Sequence, residues 1–422
     1  MTKLIYYEFV KLFNKKLLCL LMLALIAANI FCLFENANVL NENGCSIRDI
    51  SAVYDEIRGK SEGEKEAYID EKIGQYTESI FSGANYDYRY GTALAAVKEN
   101  IEKCGKYSDY LTYIDEQSEN MEISPFIGKK SFSYRNVILT PIAYRNLKNL
   151  NLTAENPEGV LLVTDNTLTD VFFWLCIIMA TMQIGLSENE DDLFALIKSK
   201  PMGRGYLIFS KITALFILVA MLCLIFFMSN FIFAFYEIGL GDLSRPIQSV
   251  GKYYTGSNRL CVGEYLAVNY CVKLLGAFGV SCVFFTLCIL SANTVTAVLL
   301  FSAFFGFQAL IYKLISVNSY LSVFKQINTA AFLNMGELFA DYVNINIFGY
   351  PFGALTVTLV GLVLFILSAS LFSVYFFSRA IRRELKTEKL IKKVINKLSL
   401  PAGKNCSIFL HEAYKFFIIN KG

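Results

Sequence analysis

Six long apolar stretches decide most of what this chain can fold into. They occupy residues 17–34, 168–186, 212–236, 265–290, 295–316 and 351–377. A bilayer core about 30 Å thick needs roughly 20 apolar residues of helix to cross it, and each stretch meets or approaches that length. A soluble protein could not hide six such surfaces. The averages, 55% hydrophobic and 18% charged, conceal the pattern, because the apolar runs alternate with ordinary charged segments. The expected fold class is an all-α membrane protein with six transmembrane helices. The first run reads as an uncleaved helix rather than a signal peptide. It is 18 residues long with 16 before it, beyond the usual h-region of about 7–15. Phe31 before Cys32 is too bulky for a lipoprotein processing site.

Lysine and arginine near the run ends give the orientation, since cytoplasmic loops carry the excess. Lys3, Lys11, Lys15 and Lys16 precede the first run, and Arg379, Arg382, Arg383, Lys386, Lys389, Lys392, Lys393 and Lys397 follow the sixth. Both termini are therefore expected in the cytoplasm of a multi-pass cell-membrane protein. The segment 187–211, with Lys198, Lys200 and Arg204, falls on the same side. Arg245, Lys252 and Arg259 fit less well, because they lie in the outer loop 237–264, offset by Glu237, Asp242 and Glu264. The segment 35–167 is placed outside and carries 22 acidic and 14 basic residues, a net of −8. The tail 378–422 carries 11 basic and 3 acidic residues, a net of +8. That tail suits anionic lipid headgroups, at about 1 kcal/mol per Lys or Arg near the surface, and equally suits simple anchoring. The expected contacts are the lipid membrane and protein partners, not nucleic acid.

The chain offers little catalytic chemistry. His411 stands alone, which removes Ser-His-Asp and Cys-His arrangements and the zincin motif. No C-x-x-C pair exists, so zinc-site spacing is missing too. Cys19, Cys32, Cys176, Cys223, Cys271, Cys282 and Cys288 lie in apolar runs as small hydrophobes, while Cys406 is in the tail. Cys45 and Cys104 share the outer segment, where oxidation is allowed, and form the candidate disulfide, with Cys261 a third outer thiol. Gly59-Lys60-Ser61 imitates the end of a P-loop, but Tyr54 stands where its first glycine belongs. No catalytic, metal or cofactor residues are therefore assigned. Lys273 is taken as the ionisable residue of a helix interior, about two turns inside the outer end, where snorkelling accounts for it. With no carboxylate assigned to a span interior, a proton-coupled carrier is disfavoured.

Residues 1–16 pattern as an amphipathic helix, with Leu4, Ile5, Leu12 and Phe13 recurring at helical steps and Lys3, Glu8, Lys11 and Lys15 elsewhere. The outer segment 35–167 is mainly helical in pattern, around Ile47–Ala67 and Thr92–Gln117. Its aromatic Asn85–Tyr90 stretch is either a binding surface or packing. Residues 317–350 are semi-apolar but too interrupted to span, and are expected as re-entrant or interfacial helices. The 187–211 loop spells a short capped helix. Glu188, Glu190, Asp191 and Asp192 suit its N-terminus, Leu193, Leu196 and Ile197 form an apolar stripe, and Pro201 stops it. That stripe either docks a partner or belongs to a solvated connector.

Three features together resemble the type-2 ABC exporter permease family. They are the start Lys3-Leu-Ile-Tyr-Tyr-Glu-Phe-Val-Lys-Leu-Phe13 feeding into a span, the large segment between the first two spans, and the loop Ser187-Glu-Asn-Glu-Asp-Asp192 followed by Lys198-Ser-Lys-Pro201, Arg204 and Lys211. The resemblance implies an N-terminal elbow helix and a membrane pathway built with a second permease copy or a homologous permease. It also implies a separate ABC ATPase dimer that binds the ATP, so this chain itself would be neither an enzyme nor a cofactor carrier. Glu188, Asp191, Leu193, Leu196, Ile197 and Pro201 become the expected coupling residues. Peptides or envelope-active compounds are the favoured cargo, on the strength of the large outer domain. The alternative is a non-transporting membrane sensor or assembly protein whose ectodomain binds a ligand. Near the end, Glu412-Ala-Tyr-Lys415-Phe-Phe417 repeats the pattern of Glu8-Phe-Val-Lys11-Leu-Phe13, which suggests the start of a second elbow.

Overall fold

A computed structural model describes residues 2–82, 87–123, 128, 131–190, 205–291, 294–316 and 319–379. Among the described residues 79% are helical, and six helices are long and apolar enough to cross a membrane. This is an all-α, multi-pass architecture. The spans are Lys16–Asn38, Glu158–Ser187, Gly205–Ile238, Val262–Leu290, Thr294–Leu314 and Ala354–Arg379. In chain order the helices are α1 (Thr2–Asn14), α2 (Lys16–Asn38), α3 (Ile47–Glu56), α4 (Glu62–Phe81), α5 (Tyr88–Gly105), α6 (Tyr107–Glu122), α7 (Phe132–Tyr144), α8 (Glu158–Thr164) and α9 (Thr167–Glu190). Then follow α10 (Gly205–Phe233), α11 (Val262–Leu290), α12 (Thr294–Leu314), the short α13 (Ser322–Gln326), α14 (Thr329–Leu333) and α15 (Met335–Ala340), and finally α16 (Ala354–Arg379).

Burial ranks the spans. In α11, 72% of the apolar window is buried inside the protein, against 17% in α2 and 11% in α12. So α11 is the central post, packed on α16, α9, α10 and α12. Small residues let it approach its neighbours. A Cβ on Gly279 would stand 3.0 Å from Ile366 and Phe365 of α16, the close approach that drives helix pairing where lipid is as apolar as leucine. The outer faces carry exposed Leu20, Leu23 and Phe31 on α2 and Val363, Leu367 and Leu371 on α16. An apolar belt of that kind is a lipid-facing surface.

The second span differs from the expected 168–186. It starts at Glu158 and is built of two helices: α8 ends at Thr164, Asp165 and Asn166 are not helical, and α9 begins at Thr167. Asn166 makes the joint: its backbone carbonyl accepts from Asp170 N, and its side chain accepts from Thr169 N at 3.2 Å. The sixth span also begins later than expected. Tyr350–Gly353 is a β-strand (β2) paired antiparallel with Asn344–Ile347 (β1), so Pro351 lies in a hairpin rather than a helix. Phe348 and Gly349 turn it with positive φ (49° and 83°), the combination a two-residue hairpin loop requires.

Helices α3 to α7 form a domain with its own core, from Cys45 through Val53, Leu94, Val97 and Leu147 to Ala154. Two capping boxes start its helices, Ser46 with Asp49 and Ser61 with Glu64, each satisfying two backbone donors. The domain is tied down onto the loop between α10 and α11. Arg48 pairs with Glu237 at 3.0 Å, and Ser51 donates to the Ile238 carbonyl. Tyr107 and Tyr110 pack on Tyr254. Arg245 is fully buried and paired with Glu155 at 3.3 Å, while Lys252 pairs with Asp165 and Glu337. These two cations, awkward as free loop charges, are therefore consumed in internal pairs.

Candidate functional site

Of the expected coupling residues, Asp191, Leu193, Leu196, Ile197 and Pro201 lie outside the described residues. Glu188 lies in the last turn of α9, and its side chain is likewise not described. The roots of that loop are described, and they hold a buried charge cluster. Lys211 of α10 and Glu8 of α1 are 2% and 3% exposed and stand 3.3 Å apart. The Lys211 ammonium also donates to the Ile184 carbonyl of α9 at 2.7 Å, and Lys11 reaches the other Glu8 oxygen at 3.0 Å. Glu8 was read as part of the polar side of α1; it is instead buried together with Leu12, one turn on. The reason is electrostatic. A lysine buried between two spans is costly unless paired and hydrogen-bonded, and Glu8 with Ile184 supplies both.

At the opposite end of the bundle, below the helical domain, a second polar cluster corrects two expectations. Asp170 lies in α9, within the second span, and forms an ion pair with Lys273 of α11. A carboxylate therefore does sit inside a span. Snorkelling along a lipid face does not describe Lys273 either. The exposed positions of α11 there are Ala267, Cys271 and Leu275. At about 100° per residue, Lys273 points to the other side of the helix. It lies eleven residues past Val262, about 16 Å along the axis.

Beside this pair, three spans meet through amides and hydroxyls. Asn29 of α2, 1% exposed, donates to Ser229 and Asn230 of α10, both at 3.1 Å, and accepts from Thr169 of α9 at 2.7 Å. Asn230 donates onward to the Leu162 carbonyl at 3.3 Å and Thr169 at 3.0 Å. On the other side runs a chain of hydroxyls: Asn269 donates to Tyr265, Tyr265 donates to Tyr253 at 2.8 Å, and Tyr253 meets Thr164. Two small cavities flank the ion pair. One, about 20 Å³, touches Thr169, Asp170, Asn230 and Lys273. The other, about 50 Å³, runs from Asp170, Asn269 and Lys273 out to Asp165, Asn334 and Glu337. At that rim, burial pulls the Lys252 ammonium down, but hydrogen bonds to Asp165 and Glu337 outweigh it and hold its pKa above the ordinary lysine value.

A third and larger cavity, about 670 Å³, lies where the domain meets the α10–α11 loop. Tyr54, Asp55, Arg58 and Glu155 line one wall, and Phe235 and Leu243 another.

Cys45 and Cys104, the expected disulfide, share the domain core but are free thiols. The Cys45 sulfur is engaged by the Asn41 amide at 3.4 Å, and burial pushes the Cys104 thiol up to about 11. Cys261 is also free and caps α11, accepting from Glu264 N at 3.4 Å. Asp170 stands close to the first residue of its apolar run, so the run alone does not mark it as an interior charge. Lys273 was the signal that could have found it, since a cation inside a span implies a nearby anion.

No known protein family, curated protein or solved structure matches this chain. The geometry therefore carries the functional argument.

Proposed function

We propose that this chain is the permease subunit of an ABC-type exporter. In this reading it builds the membrane pathway with a second copy or a homologous permease, and a separate ATPase dimer binds the ATP. Both termini are cytoplasmic, α1 is the elbow helix, and peptides or envelope-active compounds are the cargo. The observation that carries the reading is the Glu8–Lys211–Ile184 cluster. A permease without its own ATPase must take force through a cytoplasmic loop and pass it into its spans. The 187–211 loop is rooted where the buried Glu8–Lys211 ion pair and the Lys211–Ile184 hydrogen bond join α9, α10 and α1. A push on that loop therefore moves three helices together.

The test uses the full chain expressed in its native host, with its ATPase partner identified by copurification. Replacing Leu193 and Leu196 with glutamate is expected to release the ATPase, or to leave hydrolysis without export, while membrane insertion stays normal. Undiminished export and ATPase copurification in that double variant would sink the coupling role. Reporter fusions after Glu42 and after Lys386 should report opposite sides of the membrane. The 670 Å³ cavity favours a second reading, a membrane sensor whose domain binds a ligand. That reading gains if no nucleotide-binding subunit copurifies.

A further inference from the structure

The 50 Å³ cavity beside Asp170 and Lys273 has properties that transport alone does not require. Three carboxylates face it or its rim: Asp165, Asp170 and Glu337. Two ammonium groups answer them, Lys273 on Asp170 and Lys252 across Asp165 and Glu337. One negative charge is left over. On the wall, Asn269 is 8% exposed, and its side-chain oxygen is buried without a hydrogen-bond partner. Its amide is turned away to Tyr265, so the free oxygen is an acceptor. A buried acceptor left unmet costs about 1–3 kcal/mol. The space exceeds the roughly 10–15 Å³ that one water needs, so a small hydrated guest fits and a peptide side chain of any bulk does not.

We propose that this cavity is a binding site for a single small cation, an alkali ion or the ammonium end of an amine. Asn269 and Asp170 contact it at the bottom, and Asp165 and Glu337 attract it at the rim. The leftover charge sets its valence at one. Among the described residues no three His, Cys, Asp or Glu side chains group as metal ligands, which leaves a divalent ion without its usual donor set. Lys273 is the tethered counter-charge: it neutralises Asp170 when the cavity holds only water, and shares that carboxylate when the guest arrives. The inference is independent of the exporter reading, because it concerns the isolated chain.

The experiment is thermal unfolding of the purified full chain in detergent. It is run in sodium, potassium, methylammonium or N-methyl-D-glucamine chloride at equal ionic strength. A saturable rise in melting temperature is expected over N-methyl-D-glucamine, which is too large to enter. At ten times half-saturation the rise should be on the order of 2 °C. A rise with sodium or potassium alone identifies an alkali ion, and one with methylammonium alone identifies an ammonium group. Asn269→Leu should abolish the rise. Glu337→Gln, at an exposed rim position, leaves the fold intact and should raise the half-saturating concentration about two- to five-fold. Equal melting in all four salts overturns the proposal, and so does a rise that both variants leave unchanged.

Discussion

Asn29→Leu tests whether hydrogen bonds, rather than apolar packing, hold α2 to the bundle. Only Met22, Asn29, Leu33 and Ala37 of α2 are buried, so most of the helix faces outward. Asn29 makes three hydrogen bonds to two other spans, at 3.1, 3.1 and 2.7 Å. Interhelical hydrogen bonds within membranes average about 0.6 kcal/mol, because the unfolded helix also finds partners. Three of them give a loss of about 2 kcal/mol. Thr169 keeps a second contact with Asn230, at 3.3 Å, which holds the figure near that average rather than at the top of the range. The assay is unfolding by SDS titration in mixed micelles, for Asn29→Leu, Asn230→Leu and the double variant. The two single losses should not add, because the direct Asn29–Asn230 bond is counted in both. A coupling of about 0.5–1 kcal/mol is expected. Additive losses, or an Asn29→Leu protein as stable as the parent, would refute the reasoning and place the attachment in the apolar contacts instead.

Glu8→Gln removes a buried carboxylate from Lys211 and is expected to cost about 3 kcal/mol; an unchanged melt would mean that the other contacts of Lys211 suffice. Gly159→Ala puts a Cβ 2.3 Å from the Gly239 carbonyl oxygen, and backbone cannot easily yield, so a loss of about 1–3 kcal/mol follows. Gly74→Ala, in the middle of α4 with open space around it, should gain about 0.5–1 kcal/mol; equal signs for the two would contradict the packing described. Cys45 and Cys104 should resist maleimide in the folded protein and react after denaturation without reductant, mapped by peptide mass spectrometry. Reaction at these positions only after reduction would restore the disulfide.

The spans were legible because twenty or so consecutive apolar residues have few other uses. Asn29 was visible as the polar residue of its run, yet nothing in the run says that its partners lie 140 to 201 positions away. The expected second span matches α9, and Asp165 and Asn166 interrupt the helix as they interrupt the apolar pattern; what the pattern did not show is that α8 precedes α9 in the same span, with Asn166 capping α9. Asp170 and Lys273 both stand in the sequence, but from the sequence no carboxylate is assigned to a span interior and the lysine is accounted for by snorkelling. Only packing shows that the two face each other. Glu8 was misread for a related reason: an amphipathic pattern reports polarity, not whether a polar face has found a buried partner.

The Asp170–Lys273 pair also constrains the order in which the chain can be assembled into a bilayer. A lysine at the centre of a lone span raises the cost of insertion by about 2.5–3.5 kcal/mol on translocon scales. Asp170 emerges from the ribosome 103 residues before Lys273, within a span that begins at Glu158. The second span can thus enter first with its carboxylate in place, and the fourth becomes a competent membrane segment once that carboxylate is there to meet it. Removing Asp170 would then first be felt during biogenesis, as a fourth span left out of the membrane.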